Sequence, residues 1–347
     1  MLHIIKILRI FIEDSLYFCI SVKFIYFDVF IRQMKIKKSV LKSTVSIILL
    51  AALLYYGYDY FLRYEESTNY SLTEEGFVNY KVRTPSFTRT VTYQDSSYTK
   101  EILTFASKGT KIYADLYLSR HATKNTPVNG IVFMPAAEKT RTDTAARGIF
   151  LAKSGYVVLI PDVRGIGDTG KNGGSANRLN SIQDDYYLFL QGKEPVNHLN
   201  FYDTLLAAKI LEKMPEVRDV IFAGESLGGR TAIIAGAIYD KKDTRIKGIL
   251  GISTAGYGLQ KTPDYDAQRY LNSIDPDFYA GNIAPRKAYF IHATKDGTIP
   301  IAAGKDTFHK AAEPKKFIVM ENSSCHGYCS EMDSVLADAL KGLFDDK

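Results

Sequence analysis

The stretch Val220-Ile221-Phe222-Ala223-Gly224-Glu225-Ser226-Leu227-Gly228-Gly229-Arg230 decides how the rest of the chain is read. A short apolar run climbs into Gly-Glu-Ser-Leu-Gly, and good helix formers from Thr231 to Tyr239 leave it. Strand, tight turn and helix in that order are the setting in which the serine of a G-x-S-x-G pattern is lifted out of the backbone as a nucleophile elbow. Gly224 and Gly228 leave room, because a Cβ at either position would collide across so sharp a turn. The helix start just beyond offers free N–H groups and the positive end of the helix dipole to a developing oxyanion. The pattern alone is common in long chains. It gains meaning if the chain also supplies a base, an orienting acid and a fold to hold them.

At 347 residues the chain holds one large α/β domain with a small appendage, or two ordinary domains. Its hydrophobic content of 46% and charged content of 24% are those of a globular protein. The formal net charge of +6 is mild and gathers in the first hundred residues, with no compact basic face or basic–aromatic module, which argues against a nucleic-acid partner. The lack of Trp beside 24 Tyr reads as compositional bias. Cys19, Cys325 and Cys329 are too few for a disulfide scaffold and lack the paired C-x-x-C spacing of a zinc site. With no metal-ligand spacing and no glycine-rich phosphate loop either, neither metal nor cofactor is implied.

Residues 43–62 form the most hydrophobic stretch, with roughly 17 residues before the first acid, Asp59, against the about 20 that a bilayer core needs. Lys35, Lys37, Lys38 and Lys42 precede it and tyrosines follow, the pattern of an N-in, C-out membrane segment. A transmembrane signal-anchor is therefore expected within 1–64, holding the remainder outside the cytoplasm. A cleaved signal peptide and a buried helix are the alternatives. Residues 1–33 are apolar but interrupted by Lys6, Arg9, Glu13, Asp14, Lys23 and Asp28, whereas Met34-Lys-Ile-Lys-Lys-Ser opens as signal anchors do. Translation is expected to begin at Met34. Residues 65–97 are polar, without clear period, and are expected to be a stalk or extension.

From residue 98 onward strands alternate with helical segments, the signature of a mostly parallel α/β sheet. Strands are expected at 100–106 and 111–118 (a hairpin), 128–134, 156–160, 219–223, 246–252, 288–293 and 316–320. Helices are expected at 145–154, 201–214, 231–239 and 334–344, with a Gly- and Asn-rich loop at 165–180. The fold class is therefore α/β, with about eight strands, helices on both faces and a small insertion at 254–285. Tyr257, Tyr265, Tyr270, Phe278 and Tyr279 in that insertion either line an acyl pocket beneath a lid or simply pack over the sheet edge.

Ser226 needs a base to take its proton and a carboxylate to hold that base in the right tautomer. Among six histidines, only His326 lies in a loop after the final strand, and parallel strands end along one edge of a sheet, so that loop faces the elbow. His3, His121, His198, His292 and His309 occupy other settings. For the acid, Asp296 in Thr294-Lys295-Asp296-Gly297-Thr298-Ile299-Pro300 follows the preceding strand, and a carboxylate bonding its own turn is the plain alternative. Asp162, in Pro-Asp-Val-Arg-Gly, reads as a structural loop residue beneath the site. The oxyanion hole is expected from the backbone N–H of Leu227 and of Ala137, with Ala136 as second choice.

With these residues in place, the chain from about 98 to 347 resembles the α/β-hydrolase superfamily. The motifs that carry the resemblance are Gly224-Glu225-Ser226-Leu227-Gly228, Asp162-Val163-Arg164-Gly165-Ile166-Gly167, Thr294-Lys295-Asp296-Gly297-Thr298-Ile299-Pro300 and Cys325-His326-Gly327. The order Ser…Asp…His is the one this superfamily uses. The resemblance implies a doubly wound sheet with an antiparallel second strand, and hydrolysis through an acyl-enzyme. It looks closest to small-lid esterases, monoglyceride-lipase-like enzymes and serine aminopeptidase-like members. The family's frequent His-Gly after the third strand is replaced by Pro135-Ala136, which puts the second oxyanion donor in question. A serine at the elbow argues against dehalogenase or epoxide-hydrolase chemistry, which need a carboxylate nucleophile. The expected substrate is a carboxylic ester, with a short peptide or amide, or a non-catalytic anchored binding role, as alternatives. The oligomeric state is left open. Cys325 and Cys329 flank His326 at i and i+4 and are either bridged or free thiols.

Overall fold

The computed structural model describes residues 50–55, 57, 69–171 and 182–345. It divides into two units, residues 1–64 and residues 65–347. In the first, residues 50–55 and 57 are helical, and Leu50, Leu53, Leu54 and Tyr55 are exposed. Most of the expected anchor, and the proposed start at Met34, lie outside the described residues. Among the described residues no helix is long and apolar enough to cross a membrane.

The second unit is built on apolar runs too short for helices and rich in Val, Ile and Phe, which pair into one large sheet. Its strands are β3 (Phe87–Gln94), β4 (Tyr98–Ser107), β5 (Thr110–Ser119), β6 (Val128–Met134), β7 (Val157–Pro161), β8 (Val217–Glu225), β9 (Ile246–Ile252), β10 (Lys287–Ala293) and β11 (Lys315–Met320). Their order across the nine-stranded sheet is β11-β10-β9-β8-β6-β7-β5-β4-β3. From β7 to β11 all neighbours are parallel, and β3, β4 and β5 run antiparallel at one edge. The expected α/β class holds. The strand β5 pairs antiparallel with β7, as the resemblance implied.

Alternate residues of the central strands feed two cores. Val220 and Phe222 of β8 face one core with helices α4 (Val196–Lys213) and α5 (Leu227–Ile238). Ile221 and Ala223 face the other with α1 (Ala145–Lys153) and α9 (Asp333–Phe344). Both faces being covered explains why these strands read as unbroken apolar runs. The remaining helices are α2 (Gly167–Lys171), α3 (Ile182–Leu190), α6 (Tyr265–Ile274), α7 (Pro276–Tyr279) and α8 (Ile301–Lys310).

Three expectations are corrected. Residues 65–97 are not a stalk throughout: they contain β3 and a separate hairpin, β1 (Tyr70–Leu72) with β2 (Val78–Tyr80). The polar alternation of β3 hid a strand because β3 lies at the sheet edge with mostly exposed residues, and Arg89 pairs with Glu101 of β4 across it. Part of the loop expected at 165–180 is helical, as α2, and residues 172–181 lie outside the described set. The helix α4 begins earlier than expected because the Asp185 carboxylate accepts the N–H groups of Val196 and Asn197, a cap supplied from eleven and twelve residues away.

Candidate active site

The strand β8 ends at Glu225, and Ser226 follows at φ +53° and ψ −118°, before α5 begins. A non-glycine residue at positive φ persists only where its surroundings over-determine it. Here the Ser226 N–H donates to Ile252 O at 2.9 Å, and its carbonyl accepts from Thr254 Oγ1 at 2.8 Å and from Arg230 N–H at 3.2 Å. The expected glycine roles are visible: a Cβ on Gly224 would lie 2.3 Å from Gly228 O. A Cβ on Gly228 would lie 2.1 Å from Met134 O and 2.5 Å from Pro135 O. The segment leaving β6 thus lies directly against the first turn of α5. Leu227, first in that helix, contributes one of the four N–H groups that have no partner within it. Ala137 stands exposed in this segment, next to half-buried Ala136.

The loops after β8, β10 and β11 bring Ser226, Asp296 and His326 together. His326 Nε2 lies 3.1 Å from Ser226 Oγ, and its Nδ1 lies 3.1 and 3.0 Å from the two Asp296 oxygens. Burial alone would raise the Asp296 carboxyl. The hydrogen bonds from His326 and from the N–H groups of Ile299 and Thr298 outweigh it and hold the carboxyl below its ordinary value. The Thr298 and Ile299 bonds, at 2.8 and 3.0 Å to Oδ1, are the turn bonds named above as the plain alternative, and Asp296 makes them and the histidine contact at once. Such an arrangement lets the imidazole take a proton from Ser226 Oγ while the carboxylate stabilises the resulting imidazolium.

Other candidates stand elsewhere. Asp162 is buried under Arg141, accepting its backbone N–H at 2.7 Å, and also accepts Asp168 N–H at 3.0 Å. Gly167 (φ +61°) is needed there, since a Cβ would come within 2.3 Å of the Asp162 carboxylate. His121 and His309 are exposed, and His198 is buried between Tyr70 Oη at 2.9 Å and Ser273 Oγ at 2.7 Å. His3 lies outside the described residues. Of the insertion aromatics, Tyr270 and Tyr279 are fully buried, Phe278 stacks on Phe77 and Tyr265 is exposed, so these four pack or face solvent. Tyr257 lies beneath the Arg230 guanidinium, 3.9 Å from its ring centre, on the turn after β9. A cavity of about 400 Å³ lined by Tyr70, Leu72, Phe189 and Arg269 includes none of Ser226, Asp296 or His326 in its wall, so it is separate from this chemistry.

The parts played by two neighbours, His292 and Glu225, escaped the sequence reading. His292, on β10, donates its Nε2–H to Ile299 O, 2.8 Å away, and lies 3.6 Å from Asp296, bracing the turn that holds it. Burial lowers its pKa, more than the Ile299 contact and the Asp296 charge raise it. Glu225 reaches the His326 loop, and Cys325 and Cys329 are joined by a disulfide across His326. An acid at the buried end of an apolar strand was the available signal for Glu225. The bridge resolves the choice between paired and free thiols.

No protein-family model matches the chain, and no curated protein matches it in sequence. Solved structures do match it. Acetyl xylan esterase 1 from Thermoanaerobacterium sp. JW/SL YS485 is 17% identical over 75% of this chain and 89% of its own, with a TM-score of 0.58. The acetyl xylan esterase of Paenibacillus sp. R4 is 15% identical over 75% and 89%, with a TM-score of 0.59. A glucuronoyl esterase from Solibacter usitatus is 14% identical over 82% and 92%, with a TM-score of 0.52. The fold is that of the α/β hydrolases. The α/β-hydrolase sheet here carries the expected eight strands, β4 to β11, with β3 added beyond β4 as a ninth at the edge.

Proposed function

We propose that this α/β-hydrolase-fold protein is a serine hydrolase that cleaves carboxylic esters through an acyl-enzyme. The observation that carries the reading is the His326 ring bridging Ser226 Oγ and the Asp296 carboxylate, on an elbow held in an unfavourable backbone conformation. Ser226 attacks the ester carbonyl, and His326 takes its proton and returns it to the leaving alcohol. Asp296 orients the imidazole, and Leu227 N–H, with Ala137 N–H as second donor, receives the oxyanion. Water then repeats the sequence on the acyl-enzyme, releasing the acid. Esterases among the solved structures of like fold favour an ester over a peptide or amide. The reading calls for no metal or cofactor.

A fluorophosphonate probe should label Ser226 covalently, and Ser226→Ala should not label; failure of the folded wild type to label overturns the reading. A panel of esters of graded acyl length, beside aminoacyl amides, then places the substrate, and preferential amide cleavage would move the reading to the peptidase alternative. Tethering by residues 43–62, with the hydrolase outside the cytoplasm, belongs to the same proposal. It is supported by the lysine-flanked apolar run, and the Cys325–Cys329 bridge suits an oxidising compartment. Recovery of the native protein in the soluble fraction with residues 43–62 intact would overturn the tether.

A further inference from the structure

The His326 loop follows β11, the edge strand, and Glu321, Asn322, Ser324 and Ser330 within or beside it are exposed. A base on such a segment needs support from outside to stay 3.1 Å from Ser226 Oγ. The structure supplies it from the strand that carries the serine. Glu225 is 1% exposed, and its Oε2 accepts Tyr328 N–H at 2.8 Å. Gly327, at φ +73°, packs so closely on the carboxylate that a Cβ would lie 2.9 Å from Oε2. Arg147 of α1 pairs with Glu225 (Nη2 to Oε1 2.9 Å, Nη2 to Oε2 3.1 Å) and lies over the Tyr328 ring, 5.4 Å from its centre.

We infer that Glu225 is a positioning residue for the base: with Arg147 it seats the His326 loop on the end of β8. The inference rests on the reading of His326 as general base. A buried ion pair adds little to stability beyond what well-packed apolar residues would give. A carboxylate at this place is instead explained by the directional bond it makes to the residue two past the histidine. Ser226 and Glu225 are consecutive, so the same rigid strand end sets both nucleophile and base. Displacing a reacting group by about 1 Å costs on the order of 100-fold in rate, which is the scale of effect at stake.

The test replaces the pair by apolar groups of similar size, Glu225→Met with Arg147→Met, so that no lone charge is left buried. With p-nitrophenyl acetate, this folded double variant should lose roughly 10- to 100-fold in kcat with KM within about twofold. Glu225→Gln, which keeps an oxygen for Tyr328 N–H, should recover much of that loss. Crystal structures give a second readout that does not depend on turnover. The contact between His326 Nε2 and Ser226 Oγ should persist in Glu225→Gln and be lost in the double variant. Retention of that contact, or of kcat within about twofold, in the folded double variant overturns the inference. A wild type that folds but neither turns over nor labels overturns the hydrolase reading instead, and the two crystal structures still decide whether Glu225 positions the loop.

Discussion

Ser226 is held at φ +53°, where a side chain costs about 1–3 kcal/mol and persists only because its surroundings impose it. The imposed geometry has a measurable consequence. Ser226→Gly should be more stable than Ser226→Ala by about 1 kcal/mol, since only glycine relieves the positive φ, while both abolish activity. Thermal unfolding of the two variants checks this, and an equal or lower midpoint for the glycine variant would show that the turn carries no strain. Asp296 can be tested as directly. Asp296→Asn leaves the ring of His326 in place but supplies an N–H where Nδ1–H needs an acceptor, so kcat should fall by roughly 10³- to 10⁴-fold with KM little changed. Initial rates on a short-chain ester provide the measurement. Both residues were legible in sequence, because each follows a strand that an apolar run announces. Glu225 was not, because its role depends on Tyr328, 103 residues away.

At the scale of elements, the His326 loop is closed into a small ring by Cys325–Cys329, a separation of four residues. In the chain-entropy account a ring of about five residues contributes about 2 kcal/mol. Cys325→Ser with Cys329→Ser, or reduction of the wild type, should lower the unfolding free energy by that order. Denaturant titration with and without dithiothreitol checks it.

A second element-level feature is the hairpin β1–β2, which leans on α4 and α6 through buried His198 between Tyr70 and Ser273. Burial, with the Lys108 charge adding to it, pushes the His198 pKa down to about 3. The unfolded chain therefore takes up this proton near pH 6.5 while the folded protein stays neutral there. The stability this group protects is whole above pH 6.5 and is lost as pH falls from 6.5 toward 3, at a limiting rate of about 1.4 kcal/mol per pH unit. His198→Gln should flatten that part of the stability–pH curve, and an unchanged slope would refute the assignment.

Across the second unit, residues 69–80 and the insertion form one docked layer. Arg269 donates to the carbonyls of Thr73 and Leu72, Asn272 to that of Glu75, and Tyr279 Oη accepts Val78 N–H and meets Gly76 O. A chain beginning at residue 83 takes these partners from the buried Tyr279 hydroxyl, at about 1 kcal/mol or more, and from the half-buried Arg269 and Asn272 at less. Its melting temperature should fall well below that of a chain beginning at residue 69. Equal melting temperatures would mean that the hairpin contributes nothing to the body.

The sequence by itself determined the α/β class, the elbow, and the three loops that hold Ser226, Asp296 and His326. Strand periodicity is local, and parallel strands end on a common edge whatever else the chain does. Tertiary structure alone decided that a polar segment becomes β3 and a docked hairpin. It also decided that Tyr270 and Tyr279 pack instead of lining a pocket, and that Glu225 reaches the His326 loop. In each case the partner that satisfies the group lies far along the chain, 128 residues for Tyr70 and His198 and 201 for Val78 and Tyr279. No local pattern records which distant group will meet a buried polar atom, and the need to pair it appears only once folding has taken it out of water.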